Sequence, residues 1–287
     1  MRLASRANAR PIKKGRSMVY WSKETHTMFG RKKRFGLALG GGAARGFAHI
    51  GVLKALDEAG LKPSFVAGTS VGSLIGALYC SGLSWAQIWQ EALKLDWKDL
   101  VKLSVPTLGL VNPSKLEELV QRLSGGRKIE DLPLPFKAVA VDLVSGTEAV
   151  FDSGPVGRAV RASCSIPGIF IPLDDGDRLL ADGGVLNNLP SELVRSMGAN
   201  FVVAVDLTSS GGDTHKKPEN LVEVLIDSAF IFMNNSGARG RAIADLLIEP
   251  ALAGFGYHDM SRKQEMLDAG YEAMRAQLKP LIKRFKR

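Results

Sequence analysis

Residues 35 to 80 read as strand, glycine loop, helix, strand, sharp turn and helix, and this order limits the possible folds more than any other feature of the chain. Phe35 to Leu39 is a short apolar run entering Gly40-Gly41-Gly42-Ala43-Ala44-Arg45-Gly46. Phe47, Ile50, Val52, Leu53 and Leu56 then fall mostly at helical spacing, and Gly60 stops that helix. Residues 65 to 67 form a second strand that ends in Gly68-Thr69-Ser70-Val71-Gly72, after which Val71, Leu74, Ile75 and Leu78 begin a buried helix. Two successive strand–loop–helix units predict an α/β fold in which helices cover a mostly parallel sheet and functional groups gather at the strand ends.

The remainder fits that architecture. Strands are expected at 136 to 142, 147 to 151 and 178 to 181, the last delivering Asp182 onto a Gly183-Gly184 turn, and Phe201 to Asp206 reads as another buried strand. Asn112-Pro113 opens a helix that Gly125-Gly126 closes, and Asn188-Leu189-Pro190 opens another ending near Gly198. Residues 208 to 218 read as a surface loop, 221 to 233 as a long apolar helix, and 258 to 278 as a final amphipathic helix. The stretch 83 to 123 contains Trp85, Trp89 and Trp97 among apolar residues. It reads either as a helical layer packed on the sheet or as a cap lining an acyl-chain cleft.

Charge is concentrated at the ends. Residues 1 to 34 hold 11 of the 38 Lys and Arg with Glu24 as the sole acid, and residues 279 to 287 hold five more and no acid. The body is left with 22 basic and 28 acidic residues, so the net charge of +9 belongs to the ends. A basic arm (1 to 34), a folded body (35 to 278) and a basic tail (279 to 287) are therefore expected. The ends are expected to be solvated and mobile, with peripheral contact to an anionic membrane as the sharper alternative. Nothing in the pattern matches a nucleic-acid-binding fold, so no specific nucleic-acid partner is expected. The sequence carries no indication of oligomeric state. Cys80 and Cys164 form no C-x-x-C pair, and neither a secretory leader nor an apolar span is apparent, which points to free thiols and a cytoplasmic location.

The chemistry centres on Ser70. G-x-S-x-G places a hydroxyl on a strained strand-to-helix turn, with Gly68 and Gly72 leaving room for backbone and substrate. A serine needs a base within reach. His26 lies in the basic arm, His215 in a polar loop and His258 at the start of a terminal helix, while His49, one turn into the first helix, suits a structural hydrogen bond. Asp182, at the end of a strand in the same sheet, is the better candidate. The triple glycine can turn backbone N–H groups toward a negative oxygen at a helix amino end, and Arg45 either orders the loop or adds charge. No Gly-Lys-Ser/Thr follows the glycines, which disfavours a nucleotide-binding α/β protein, the rival use of such a loop.

Taken together, Leu39 to Gly46, Gly68 to Ser73, the run Ala162 to Phe170, and Asp182-Gly183-Gly184 resemble the blocks of the patatin-like phospholipases, particularly compact bacterial members, over residues 35 to 277. The resemblance implies a three-layer α/β/α sandwich with a mostly parallel central sheet. It implies a nucleophile at Ser70, a general base at Asp182, and an oxyanion hole drawn from Gly40, Gly41, Gly42 and Arg45. Gly68, Gly72, Gly183 and Gly184 would support these motifs. The implied activity is hydrolysis of lipid carboxylic esters through an acyl-enzyme, without metal or organic cofactor. A catalytically weak acyl-lipid-binding or regulatory protein on the same scaffold is the alternative.

Overall fold

A computed structural model of the chain describes residues 34 to 96, 99, 102 to 103, 108 to 209, 217, 219 and 221 to 285. The expected basic arm, apart from Arg34, lies outside the described residues, as do Trp97, His26, His215 and most of the 208 to 218 loop.

Strand β1 (Phe35–Leu39) leads through a 3-10 turn (Ala43–Gly46) into helix α1 (Phe47–Glu58), and β2 (Phe65–Thr69) leads into α2 (Val71–Cys80). Helix α3 (Trp85–Lys94), the two-residue strands β3 (Lys102–Leu103) and β4 (Val111–Asn112), and helix α4 (Ser114–Leu123) follow. Next come β5 (Phe136–Asp142), β6 (Thr147–Phe151), α5 (Val156–Ser163), β7 (Leu173–Asp174), β8 (Leu179–Asp182), α6 (Ser191–Ser196) and β9 (Phe201–Val205). The chain ends with α7 (Leu221–Ser236), α8 (Ala238–Ile243), β10 (Leu246–Ile248), α9 (Lys263–Ala276) and α10 (Leu278–Phe285).

One eight-stranded sheet organises the body, in the order β10-β9-β1-β2-β5-β8-β7 with β6 also paired to β5. The strands from β10 to β5 run parallel, whereas β6 and β8 pair with β5, and β7 with β8, antiparallel. The central strands read FGLAL, FVAGT and FVVAV, near-continuous apolar runs suited to burial on both faces. Alternation then divides their side chains. Leu37, Leu39, Val66, Val203 and Val205 enter the main core with α1, α2 and α9, while Ala38, Ala67, Val202 and Ala204 face Leu189 and Val194 on the opposite side. The result is the expected α/β/α sandwich.

Two expectations are corrected. His258 does not begin a helix: it lies in a turn, and α9 starts only at Lys263. Residues 279 to 285, expected as a solvated tail, belong to α10, which buries Leu281 and sets Phe285 against Phe35 and Phe201 at ring-centroid distances of 5.2 and 5.6 Å. Basic residues on one face of a short helix do not prevent docking when Leu281, Ile282 and Phe285 supply the other.

Candidate active site

Ser70 occupies the turn between β2 and α2 with φ 53° and ψ −128°, a strained conformation for a residue with a side chain. The surroundings enforce it. A methyl group on Gly68 would lie 2.4 Å from the Gly72 carbonyl oxygen, and one on Gly72 would lie 2.1 Å from the Leu39 carbonyl oxygen. Ser70 N–H donates to Ser163 Oγ (2.9 Å), and the Thr69 hydroxyl donates to the Asn187 carbonyl (2.8 Å), fixing the turn from both sides.

Asp182 reaches the same place along a different strand. Strand β5 carries β6 on one edge over Ala138 to Asp142. Its other edge pairs with β2 up to Val139, opposite Thr69, and then with β8 from Ala140, opposite Asp182. The ends of β2 and β8 therefore meet head-on along one edge of β5. Asp182 is fully buried; its Oδ1 accepts the Gly184 N–H (2.8 Å), and its Oδ2 is buried without a hydrogen-bond partner. Burial pushes its pKa up to about 7, while the nearby Ser70 hydroxyl and the Gly184 N–H pull the other way. The Ser70 hydroxyl thus influences Asp182 without forming a well-shaped bond to Oδ2. Gly183 is required because a methyl there would sit 2.4 Å from the Val139 carbonyl oxygen, and Gly184 lies against Met233 of α7.

The glycine loop departs from expectation in detail. Gly40 N–H donates to the Val205 carbonyl (3.0 Å) and Gly41 N–H to the Asn188 carbonyl (3.1 Å), so neither points at an oxyanion in this conformation. Three consecutive glycines define a permissive loop without fixing which N–H groups it spends on its own anchoring. Gly41 instead brings the backbone close to Ser70, since a methyl there would lie 3.2 Å from Ser70 Cβ. Arg45 orders the loop. Its buried guanidinium donates to the carbonyls of Phe255 (2.9 Å) and Leu207 (3.0 Å) and lies 4.0 Å from the centre of the Tyr257 ring. His49 is buried with Nε2 2.8 Å from the Gly40 carbonyl; burial lowers its pKa to about 4, so it remains neutral and braces the loop as expected.

The profile of the patatin-like phospholipase family matches residues 37–195, more than half of the chain. The chain belongs to the patatin-like phospholipase family. It is 39% identical over 200 residues to patatin-like phospholipase domain-containing protein 6 of Mus musculus, covering 65% of this chain and 15% of that protein. It is 39% identical over 181 residues to an uncharacterised NTE family protein of Mycobacterium bovis, covering 62% of this chain and 50% of the relative. The chain thus spans half or less of the length of these curated relatives. Among solved structures, VipD from Legionella pneumophila superposes with a TM-score of 0.55 at 14% identity, covering 88% of this chain and 67% of that one, a likeness of fold.

In this patatin-like chain Ser70 opens into an apolar cavity of about 120 Å³. Leu74, Ile75 and Leu78 of α2, Ile88 and Ala92 of α3, and Leu116 of α4 form much of its wall. Within the stretch 83 to 123, α3 and α4 are thus both a helical layer and a lining of the cleft. Among the described residues of the wall, Glu91 is the one carboxylate. The Cys164 thiol borders the cavity beside Ser70 and Ser73, and burial pushes its pKa well above the usual thiol range, so it stays protonated. Sequence reasoning missed Ser163, which holds the Ser70 backbone, and Asn188, whose buried side-chain oxygen lies between Gly41 and Gly184 with no hydrogen-bond partner. Asn188 stood in the sequence only as a helix opener, because its contacts depend on tertiary packing. Among the described residues no group of three or more His, Cys, Asp or Glu side chains comes together as a metal site.

Proposed function

We propose that the protein is a serine lipid acyl hydrolase acting through a Ser70–Asp182 dyad and an acyl-enzyme. The observation that carries this reading is the head-on meeting of the β2 and β8 ends on β5, which sets a serine on a strained turn, itself lining an apolar cavity, beside a buried carboxylate with an unpartnered Oδ2. Ser70 Oγ attacks the ester carbonyl as Asp182 Oδ2 takes its proton. A carboxylate whose pKa is raised to about 7 is a far better base near neutrality than an ordinary one. The tetrahedral oxyanion is held by the Gly42 N–H of the glycine loop and by the amino end of α2, whose first N–H groups point out of the helix. Collapse breaks the ester C–O bond, the alcohol leaves with the proton from Asp182, and water repeats the sequence to release the fatty acid and restore Ser70.

The cavity supports a substrate with an alkyl chain, because nearly its whole wall is hydrocarbon. Peripheral association with a membrane and a cytoplasmic setting form part of the proposal; among the described residues, no helix is long and apolar enough to cross a membrane. The test is intact-mass analysis after exposure to a fluorophosphonate, followed by hydrolysis of esters of graded chain length. One adduct on the native chain, absent from Ser70→Ala, with turnover rising with chain length, is the expected result. A folded native chain that takes no adduct would move the acyl-binding or regulatory reading ahead.

A further inference from the structure

Helix α7 has two apolar faces, and among the described residues only one of them packs against the body. On the inner face Phe230 and Met233 are buried against Ile166 and Ile169. On the outer face Val224 (45% exposed), Ile231 (62%) and Phe232 (66%) stand in solvent, and Leu225 (37%) is partly exposed at the edge, its Cδ1 beside Gly168. Their spacing, two adjacent pairs seven residues apart, puts them on one stripe two turns long. Large aliphatic and aromatic side chains exposed together mark a binding face.

The inner face identifies the occupant. Phe230 stacks on Tyr257 with ring centroids 3.7 Å apart, and Tyr257 in turn carries the Arg45 guanidinium that orders the glycine loop. Ser236 Oγ donates to the Gly184 carbonyl (2.6 Å), tying the end of α7 to the turn that follows Asp182. Ala43, Ile166 and Phe170 line the acyl cavity and also belong to the cluster beneath α7. The inner face of α7 is therefore one side-chain layer from the cavity where the substrate's alkyl chain enters, with the exposed stripe on the helix's other side. A lipid leaving a bilayer crosses least water if that stripe already lies among the acyl chains.

We propose that the outer face of α7, through Val224, Leu225, Ile231 and Phe232, inserts into the surface of a lipid bilayer and presents the cavity to its substrate. The inference rests on the lipid-hydrolase reading. It differs from attraction of the basic ends to anionic lipid in that insertion of uncharged side chains needs no lipid charge and survives salt.

The test is flotation of the full chain with neutral phosphatidylcholine vesicles at low and high salt, comparing wild type with the double variant I231S/F232S. The wild type floats at both salt levels, and the double variant binds at least about tenfold more weakly, on the order expected from losing two apolar anchors. Both proteins hydrolyse a short water-soluble ester equally, because neither residue touches the dyad or the cavity. As a second readout, Phe232→Trp gains a blue-shifted emission component on addition of vesicles. Equal flotation of wild type and double variant, binding that vanishes with salt, or an unshifted Phe232→Trp spectrum overturns the proposal. So does a wild-type dimer in light scattering that the double variant converts to monomer while vesicle binding is unchanged, which would assign the stripe to a second copy. Failure of the wild type to cleave the soluble ester would count against the hydrolase reading, and flotation would still decide the membrane face.

Discussion

Replacing Asp182 with asparagine should stabilise the protein increasingly as pH rises while removing its activity. In the folded chain burial lifts the Asp182 pKa from the reference 3.8 to about 7. Below the unfolded value both states are protonated and the group does not affect stability. As pH rises through the interval, the unfolded chain releases its proton while the folded chain retains it, so stability is lost; above about 7 the loss is complete. Linkage over this shift gives a decrease of roughly 2 to 3 kcal/mol between about pH 5 and about pH 8. The asparagine amide cannot ionise and is spared it. For a domain of this size, the thermal midpoint of Asp182→Asn relative to wild type should move up by about 5 to 10 °C more at the higher pH. Paired urea and thermal melts of the two proteins measure this directly, since contributions from all other titrating groups cancel in the difference. A stability gap between variant and wild type that is the same at both pH values would refute the reasoning, because Asp182 would then ionise as an ordinary carboxylate.

Under the proposed dyad, kcat/KM toward a soluble ester should climb with pH and level off above about 7 as Asp182 becomes the free base, and a flat profile across that range would remove Asp182 from the base role. Ser70→Gly should abolish hydrolysis yet raise stability by about 1 kcal/mol in chemical melts, because glycine accepts φ 53° and ψ −128° without strain. Gly72→Ala should cost about 3 kcal/mol or more, since its methyl group would lie 2.1 Å from the Leu39 carbonyl oxygen with only backbone to yield; a wild-type melting curve would contradict the close packing of the elbow on β1.

The sequence exposed the parts of the site that depend on local backbone requirements. Gly68, Gly72 and Gly183 had to be glycine because carbonyl oxygens crowd each one, and their spacing to Ser70 and Asp182 marked the two turns. The buried strands were legible for a similar reason, as runs such as FVVAV leave no polar face. Strand β10, only Leu246–Ile248, offers too little pattern to separate it from a loop. The direction of the Gly40 and Gly41 N–H groups could not be read, because it is decided by Val205 and Asn188, residues distant in the chain. The docking of α10 was hidden by the five basic residues of 279 to 287, although Leu281, Ile282 and Phe285 carried the information that prevailed.

Because β2 and β8 abut on the same edge of β5, the spacing of Ser70 and Asp182 is set by consecutive residues, Val139 and Ala140, of a strand that contributes no side chain to the proposed reaction. Strand β5 acts as a ruler. Everything the chain inserts between α2 and β5, including the walls of the cavity built by α3 and α4, hangs outside that measurement. Loops there can lengthen, shorten or be exchanged, and the shape of the cavity can change with them, while Ser70 and Asp182 stay in register; a single-residue insertion within β5 itself would pull them apart.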